Sequence, residues 1–151
     1  MSSFWGPSTW NILHLIAHNI DDSFYRQHSS LVFSAFLDVF YSLPCRICLS
    51  FSKKYLKYRS NTPSDKKKLI LFLFDFHNAV NLKLNKSSFS SHHLDQYFTT
   101  PSHIFIQFNH FYARFVGVRG YDFFCDMNKT NAANRIGELI RKDGFFYNNK
   151  T

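Results

Sequence analysis

The chain has 151 residues and is 45% hydrophobic, which suits one domain with a buried core and is too apolar for a disordered chain. No run approaches the ~20 apolar residues of a membrane-spanning helix, Leu69 to Phe76 being too short, and no basic segment followed by an apolar run marks a secretory signal at the N-terminus. Lysine and arginine total 18 against 10 acidic residues, a formal charge of +8 that fits an anionic ligand, an acidic membrane surface or nucleic acid as well as plain solubility; the basic residues are scattered apart from Lys53, Lys54, Lys57, Arg59 and Lys66 to Lys68, a weak nucleic-acid footprint.

A first helix is predicted from Ser8 or Thr9, just after Gly6-Pro7, to the acidic pair Asp21-Asp22. Trp10, Leu13, His14 and Ala17 share one of its faces at spacings of three and four. A second helix runs from about Ser29 to Ser42, with Leu31, Phe36, Val39, Phe40 and Leu43 as its stripe, and Pro44 stops it. A third begins at Cys45 and runs to about Tyr58, with Cys48, Phe51, Tyr55 and Leu56 in register. Ser60 to Ser64, containing Asn61 and Pro63, is a loop. The fourth helix spans Asp65 to Leu84 on Leu69, Leu73, Phe76, Val80 and Leu84. After a turn at Ser87 to Ser91, a short fifth helix covers His92 to Phe98.

Beyond Pro101 the pattern weakens. Ile104 to Phe115 fits either strand or helix. Asn131 to Lys142 reads as helix, with Ile136, Leu139 and Ile140 on one side and Gly144 ending it. The expected fold is all-α: a four-helix bundle plus a short fifth helix over residues 1–98, then a C-terminal extension, 99–151, of uncertain and partly helical structure. Helices joined by short loops make cofactor sites between their facing sides.

Three cysteines cannot build a multi-bridge framework. Cys45 and Cys48 are one close pair at a helix start, and Cys125 is left over, which suits a reducing compartment and a catalytic disulfide. At a helix N-terminus the dipole and free N–H groups stabilise a thiolate on the first cysteine, and Arg46 adds positive charge. The spacing allows a small, readily exchanged disulfide. Zinc half-sites share this spacing, and Cys125 with His77 would have to complete the four ligands. A thioredoxin-type domain would need a strand before the motif, where an apolar helix stands. His77 and Asn81 lie one turn apart on the fourth helix, with Lys83 and Lys86 following: a ring to stack on a flat cofactor, an amide to read its edge, two cations for phosphates. Trp10 and His14 repeat the four-residue spacing on the first helix. Taken alone, His77 is better explained as an ordinary core histidine with solvated lysines after it, and Trp10 with His14 equally well as packed core.

Three strings in order, Trp5-Gly6-Pro7-Ser8-Thr9-Trp10-Asn11-Ile12-Leu13-His14, Leu43-Pro44-Cys45-Arg46-Ile47-Cys48 and His77-Asn78-Ala79-Val80-Asn81-Leu82-Lys83-Leu84-Asn85-Lys86, resemble the Erv/ALR sulfhydryl oxidases, in particular the compact forms of large DNA viruses. The resemblance covers roughly residues 4 to 98. It implies a helical bundle holding FAD, oxidation of substrate dithiols, and oxygen as the electron acceptor with hydrogen peroxide as product. Carried over by motif, Cys48 is the sulfur next to the flavin and Cys45 the one that meets the substrate thiol. Trp10, His14, His77, Asn78, Asn81, Lys83 and Lys86 line the FAD site, rings near the adenine and lysines near the phosphates. It also implies a thiol-bearing protein substrate or dithiol relay protein, a homodimer, and, for a viral chain, the host cytoplasm or the virion. No metal is expected.

Two family features have no counterpart here: a second Cys-x-x-C shuttle on a flexible arm, and a structural disulfide tying the third helix to the end of the domain. Cys125 matches no family position. Two other readings stay beside the oxidase. One is a small zinc- or nucleic-acid-binding structural protein using the Cys45/Cys48 pair, and the other is an oxidase-like fold serving only as a binding module.

Overall fold

In a computed structural model, which describes residues 4–146, the first helix, α1, spans Gly6–Asn19. Pro7 sits in its first turn, where a missing N–H is no loss. The Ser8 and Thr9 hydroxyls donate back to the Trp5 carbonyl at 3.1 and 2.7 Å, so the helix begins ahead of the predicted Ser8 or Thr9. Asp21 does more than end it. Its carboxylate accepts from the Phe24 N–H at 2.9 Å and caps α2, Asp22–Phe40. That helix is kinked at His28 (φ −128°, ψ 26°), and the predicted start at Ser29 is the first residue past the kink. Phe36, Val39, Phe40 and Leu43 are wholly buried, whereas Leu31 of the predicted stripe is 37% exposed.

Cys45 is the N-cap of α3, Arg46–Leu56, which stops short of the predicted Tyr58. Asp65 caps α4, Lys66–Lys83, accepting from the Lys68 N–H at 2.8 Å. Leu69, Leu73, Phe76 and Val80 are buried, while Leu84, beyond the helix end, is partly exposed. The predicted fifth helix is a 3-10 helix, Ser91–Tyr97. Asn19 anchors it: its amide donates to the Tyr97 carbonyl at 2.6 Å and its carbonyl accepts from the Thr99 N–H at 3.0 Å.

The ambiguous Ile104 to Phe115 run is helical. Thr100 caps α5, Pro101–Gly117, and Ile104, Phe108, Phe111 and Phe115 form one buried stripe at spacings of four, three and four. The last helix, α6, spans Phe123–Ile140, capped by Asp122, and so starts well before the predicted Asn131. The two pack closely, since a Cβ on Gly137 would lie 2.8 Å from the Phe108 ring. Every element among the described residues is helical. The α5 helix lies along α1 and α6 along α2, and one hydrophobic cluster runs through bundle and extension alike. Gly144, at φ +78°, turns the chain back so that the Asp21 N–H donates to the Phe145 carbonyl at 2.8 Å and Phe146 bridges to Ile20. The end of the predicted extension, 147–151, lies outside the described residues. Among those described, no helix is long and apolar enough to cross a membrane.

Candidate active site

The second helix ends at Phe40, ahead of the predicted Ser42, and after Pro44 the chain re-enters a helix at Cys45, whose extended backbone (φ −130°, ψ 121°) aims its sulfur at the open N–H groups of α3. The Cys45 sulfur accepts from the Cys48 N–H at 3.3 Å, and the Cys48 thiol donates to it at 2.6 Å. Both cysteines are half-buried, while Arg46 and Ile47 between them are exposed. Burial, then the hydrogen bond to Cys45, pushes the Cys48 thiol up to about 11. The pair is therefore asymmetric: the Cys45 sulfur caps the helix, and Cys48 lies one turn in with a raised thiol.

Cys48 forms part of the wall of a small pocket of about 200 Å³, with Phe51, Ser52, Val80 and Lys83 around it. Val80 and Leu84 are shared with a larger cleft of about 440 Å³, lined by Trp10, Asn11, His77, Asn81, Lys86 and Tyr97 among others. Side by side, the two fall in the size range of cofactor sites, about 300–1,000 Å³. Asn85 takes the left-handed conformation (φ 55°) that asparagine tolerates. This reversal brings the Lys86 N–H onto the Asn81 carbonyl at 2.8 Å and puts Lys86 on the cleft wall.

Behind that wall lies a stack of rings. Trp10 and His77 are parallel, centroids 4.3 Å apart at 5°. His14 is wholly buried and shares a 3.0 Å hydrogen bond, Nε2 to Nδ1, with His77. Tyr97 stacks on His14 at 4.8 Å, and Phe89 lies against both histidines. His18 Nδ1 pairs with the His14 carbonyl at 2.8 Å. Burial, then the nearby His77 and His18, lowers His14 to about 3, and burial, then Lys86, lowers His77 to about 4. Both rings are neutral at pH 7.

The structure thus gathers Trp10, His77, Asn81 and Lys86 on one cleft and puts Lys83 beside Cys48. His14 stands behind them as a support for His77. Asn78 faces the following loop, where its amide donates to the Phe89 carbonyl at 3.1 Å and its carbonyl accepts from the Phe89 N–H at 2.6 Å. Sequence reasoning missed Phe89, Tyr97, His18 and Ser52. The His14–His18 spacing of four was a usable signal; nothing local marked the other three. Ser52 bears on what the pocket holds. Its hydroxyl is buried without a partner beside Cys48, and such a group is costly unless a polar ligand edge satisfies it. Flat rings, an amide, two lysines and an orphan hydroxyl fit a flavin dinucleotide. Among the described residues no cluster of three or more His, Cys, Asp or Glu side chains is placed to hold a metal.

The extension reaches the redox motif from outside. Arg46 lies over the Tyr121 ring, 4.7 Å from its centroid, and the Cys125 thiol donates to the Leu43 carbonyl at 3.8 Å. The α5–α6 loop is pinned from below. Wholly buried Lys129 donates to the Val118 carbonyl and pairs with Asp126 at 3.1 Å. Asp126 also accepts from the Gly120 N–H at 2.6 Å. Only glycine fits there, because a Cβ would lie 2.5 Å from the Cys125 sulfur.

A sequence model of the Erv1 / Alr family matches residues 7–99. FAD-linked sulfhydryl oxidases of two African swine fever virus isolates, Pig/Kenya/KEN-50/1950 and Tick/Malawi/Lil 20-1/1983, are each 33% identical over 86 residues, 57% of this chain and 72% of theirs. A protein of Invertebrate iridescent virus 3 is 31% identical over 104 residues, 64% of this chain and 67% of its own. No solved structure matches.

Proposed function

The chain belongs to the Erv1 / Alr family, and from that membership we propose that it is an FAD-dependent thiol oxidase. One observation carries the reading: Cys48 of a close cysteine pair lines a pocket that shares Val80 and Leu84 with a cleft walled by rings, Asn81 and Lys86. Trp10, His77, Asn81 and Lys86 would hold one part of the FAD and Lys83 and Ser52 the part beside Cys48. His14 backs the His77 ring, and Asn78 fixes the loop that carries Phe89. The FAD-binding unit is residues 1–98, a division supported by the end of the family match at residue 99.

The resting pair is the Cys45–Cys48 disulfide. A substrate thiolate attacks the outer sulfur, Cys45, forming a mixed disulfide, and the electron pair of the broken bond leaves on Cys48. The second substrate thiolate then attacks the mixed disulfide and releases Cys45. The substrate has lost two electrons and two protons, and the enzyme pair is a dithiol. When bound, FAD supplies the two-electron acceptor that regenerates the disulfide and delivers the electrons to molecular oxygen, giving hydrogen peroxide. Cys48 lines the pocket and is the sulfur placed to pass electrons on, while Cys45, at the helix N-terminus, takes up exchange.

The natural substrate is a thiol-bearing protein or a dithiol relay protein, and the working form is a homodimer. The viral relatives support the host cytoplasm or the virion as its location. The test is the absorption spectrum of the purified protein together with oxygen consumption on a small dithiol. Bound flavin and dithiol-dependent peroxide are expected. Folded, colourless protein that takes up no FAD would overturn the proposal.

A further inference from the structure

A second, larger cleft of about 720 Å³ runs along α3 from the cysteine pair toward the end of that helix. Arg46, Lys54, Arg59 and Lys83 line it, and no carboxylate does. None of the four cations stands in an ion pair among the described residues. Two are held in place by rings instead. Arg46 lies over Tyr121 at 4.7 Å, and Arg59 lies over Tyr55 at 4.5 Å while donating to the Tyr55 carbonyl at 3.1 Å. A guanidinium laid on a ring keeps its charge uncompensated and its outer N–H groups open to a carboxylate. The cleft walls also carry two of the most exposed apolar side chains of the fold, Ile47 at 77% and Tyr58 at 79%.

We propose that this cleft binds an acidic segment of the polypeptide whose thiols exchange with Cys45. The inference rests on the oxidase reading and names the chemistry of its substrate. Charge complementarity selects the occupant: Arg46, Lys54 and Arg59, three uncompensated cations outside the flavin site and interleaved with aromatic rings, match Asp and Glu side chains on an extended chain. Position selects it too, because Arg46 adjoins Cys45 in sequence, so a chain lying in the cleft presents its neighbouring thiol to the exchanging sulfur. From Arg46 to Arg59 the cleft spans roughly 20 Å at 1.5 Å per helical residue, the reach of about six extended residues. A nucleic acid would satisfy the cations and bring no thiol.

The test uses the flavin-loaded full chain and two dithiol peptides of equal length and thiol spacing, one with Asp and Glu beside the thiols and one with Asn and Gln in their place. Dithiothreitol is the small control. At low salt the acidic peptide is expected to show a KM about tenfold lower than the neutral one, an advantage that shrinks as salt rises. In the Lys54→Glu, Arg59→Glu double variant the advantage should vanish while dithiothreitol turnover and melting temperature hold. Equal KM values in the native protein, or a preference that survives the charge reversal, would overturn the inference. So would an oligonucleotide whose binding is lost in the double variant while the peptide preference persists. Should dithiothreitol turnover be absent altogether, the oxidase reading fails instead. The cleft is then judged separately by binding of the acidic peptide with serines in place of its cysteines, which the double variant must weaken.

Discussion

His14 and His77 share one ring-to-ring hydrogen bond of 3.0 Å, and burial leaves neither able to hold a charge at neutral pH. The consequence is a pH dependence of stability. The folded-state pKa of His14, about 3, lies below its ordinary 6.5, so the unfolded chain binds the proton first. Its contribution is complete above pH 6.5 and is lost as pH falls from there toward 3. At pH 5 the loss from His14 is about 2 kcal/mol. Urea unfolding at pH 7.5 and pH 5 should show this drop, and His14→Gln should lower stability at pH 7.5 and flatten the slope. An equal slope in both proteins would contradict the assignment.

The cysteines should separate by role. Cys45→Ser and Cys48→Ser are each expected to abolish dithiol-driven oxygen consumption. Cys125→Ser should keep most of it, since Cys125 is 4% exposed and its thiol is turned to the Leu43 carbonyl. The first two should also differ in colour. With Cys45 gone, the free Cys48 sulfur faces the flavin pocket and should give a broad long-wavelength flavin band; Cys48→Ser should lack it and trap substrate more readily through Cys45. The band in the opposite variant would reverse the two roles.

Asn78 holds the loop after α4 through both of its polar groups. Asn78→Ala leaves the Phe89 N–H and carbonyl without partners, at a cost of about 1–3 kcal/mol. Phe89 packs on His14 and His77, so the expected outcome is a lower melting temperature together with weaker FAD retention on gel filtration. A lower melting temperature with unchanged retention would confine Asn78 to folding.

A chain cut after residue 98 should not fold stably. It loses the stripe of Ile104, Phe108, Phe111 and Phe115, all buried, each worth about 1.5–3 kcal/mol. Their sum rivals the usual net stability of a domain, about 5–15 kcal/mol. Circular dichroism of the shortened chain, with and without added FAD, decides this; a cooperative melt near that of the full chain would show that the bundle stands alone.

How far the molecule could be read in advance depended on where each apolar side chain points. The faces of α1 and α4 were legible because Trp10 to Ala17 and Leu69 to Val80 recur at helical spacing beside the capping acids Asp21 and Asp65, whereas α3 buries Leu49, Ser52 and Leu56, of which the expected stripe held only Leu56. The start of α6 was hidden because Phe123 and Phe124 in its first turn face outward, 74% and 66% exposed, and blur the stripe. The α5 stripe was present at regular spacing, with Thr100-Pro101 as its opening signal, but a run rich in β-branched and aromatic residues suits a strand as well. In the site, Cys45 and Cys48 were legible as a local motif. The parallel Trp10–His77 stack and the Tyr121–Arg46 contact join distant parts of the chain, and no spacing announces such meetings.

The turn at Gly144 sets the order in which the protein can be made. Phe145 and Phe146, near the end of the described chain, are buried against Ile20 and Asp21 at the junction of the first two helices. Phe145 and Phe146 follow all six helices in the chain, so the junction stays uncovered until the helices packed around it have been made. Trp10 and His14, proposed for the flavin site and carried on the helix that leads into this junction, would then be set firmly only once that segment has docked, which ties cofactor capture to closure of the junction.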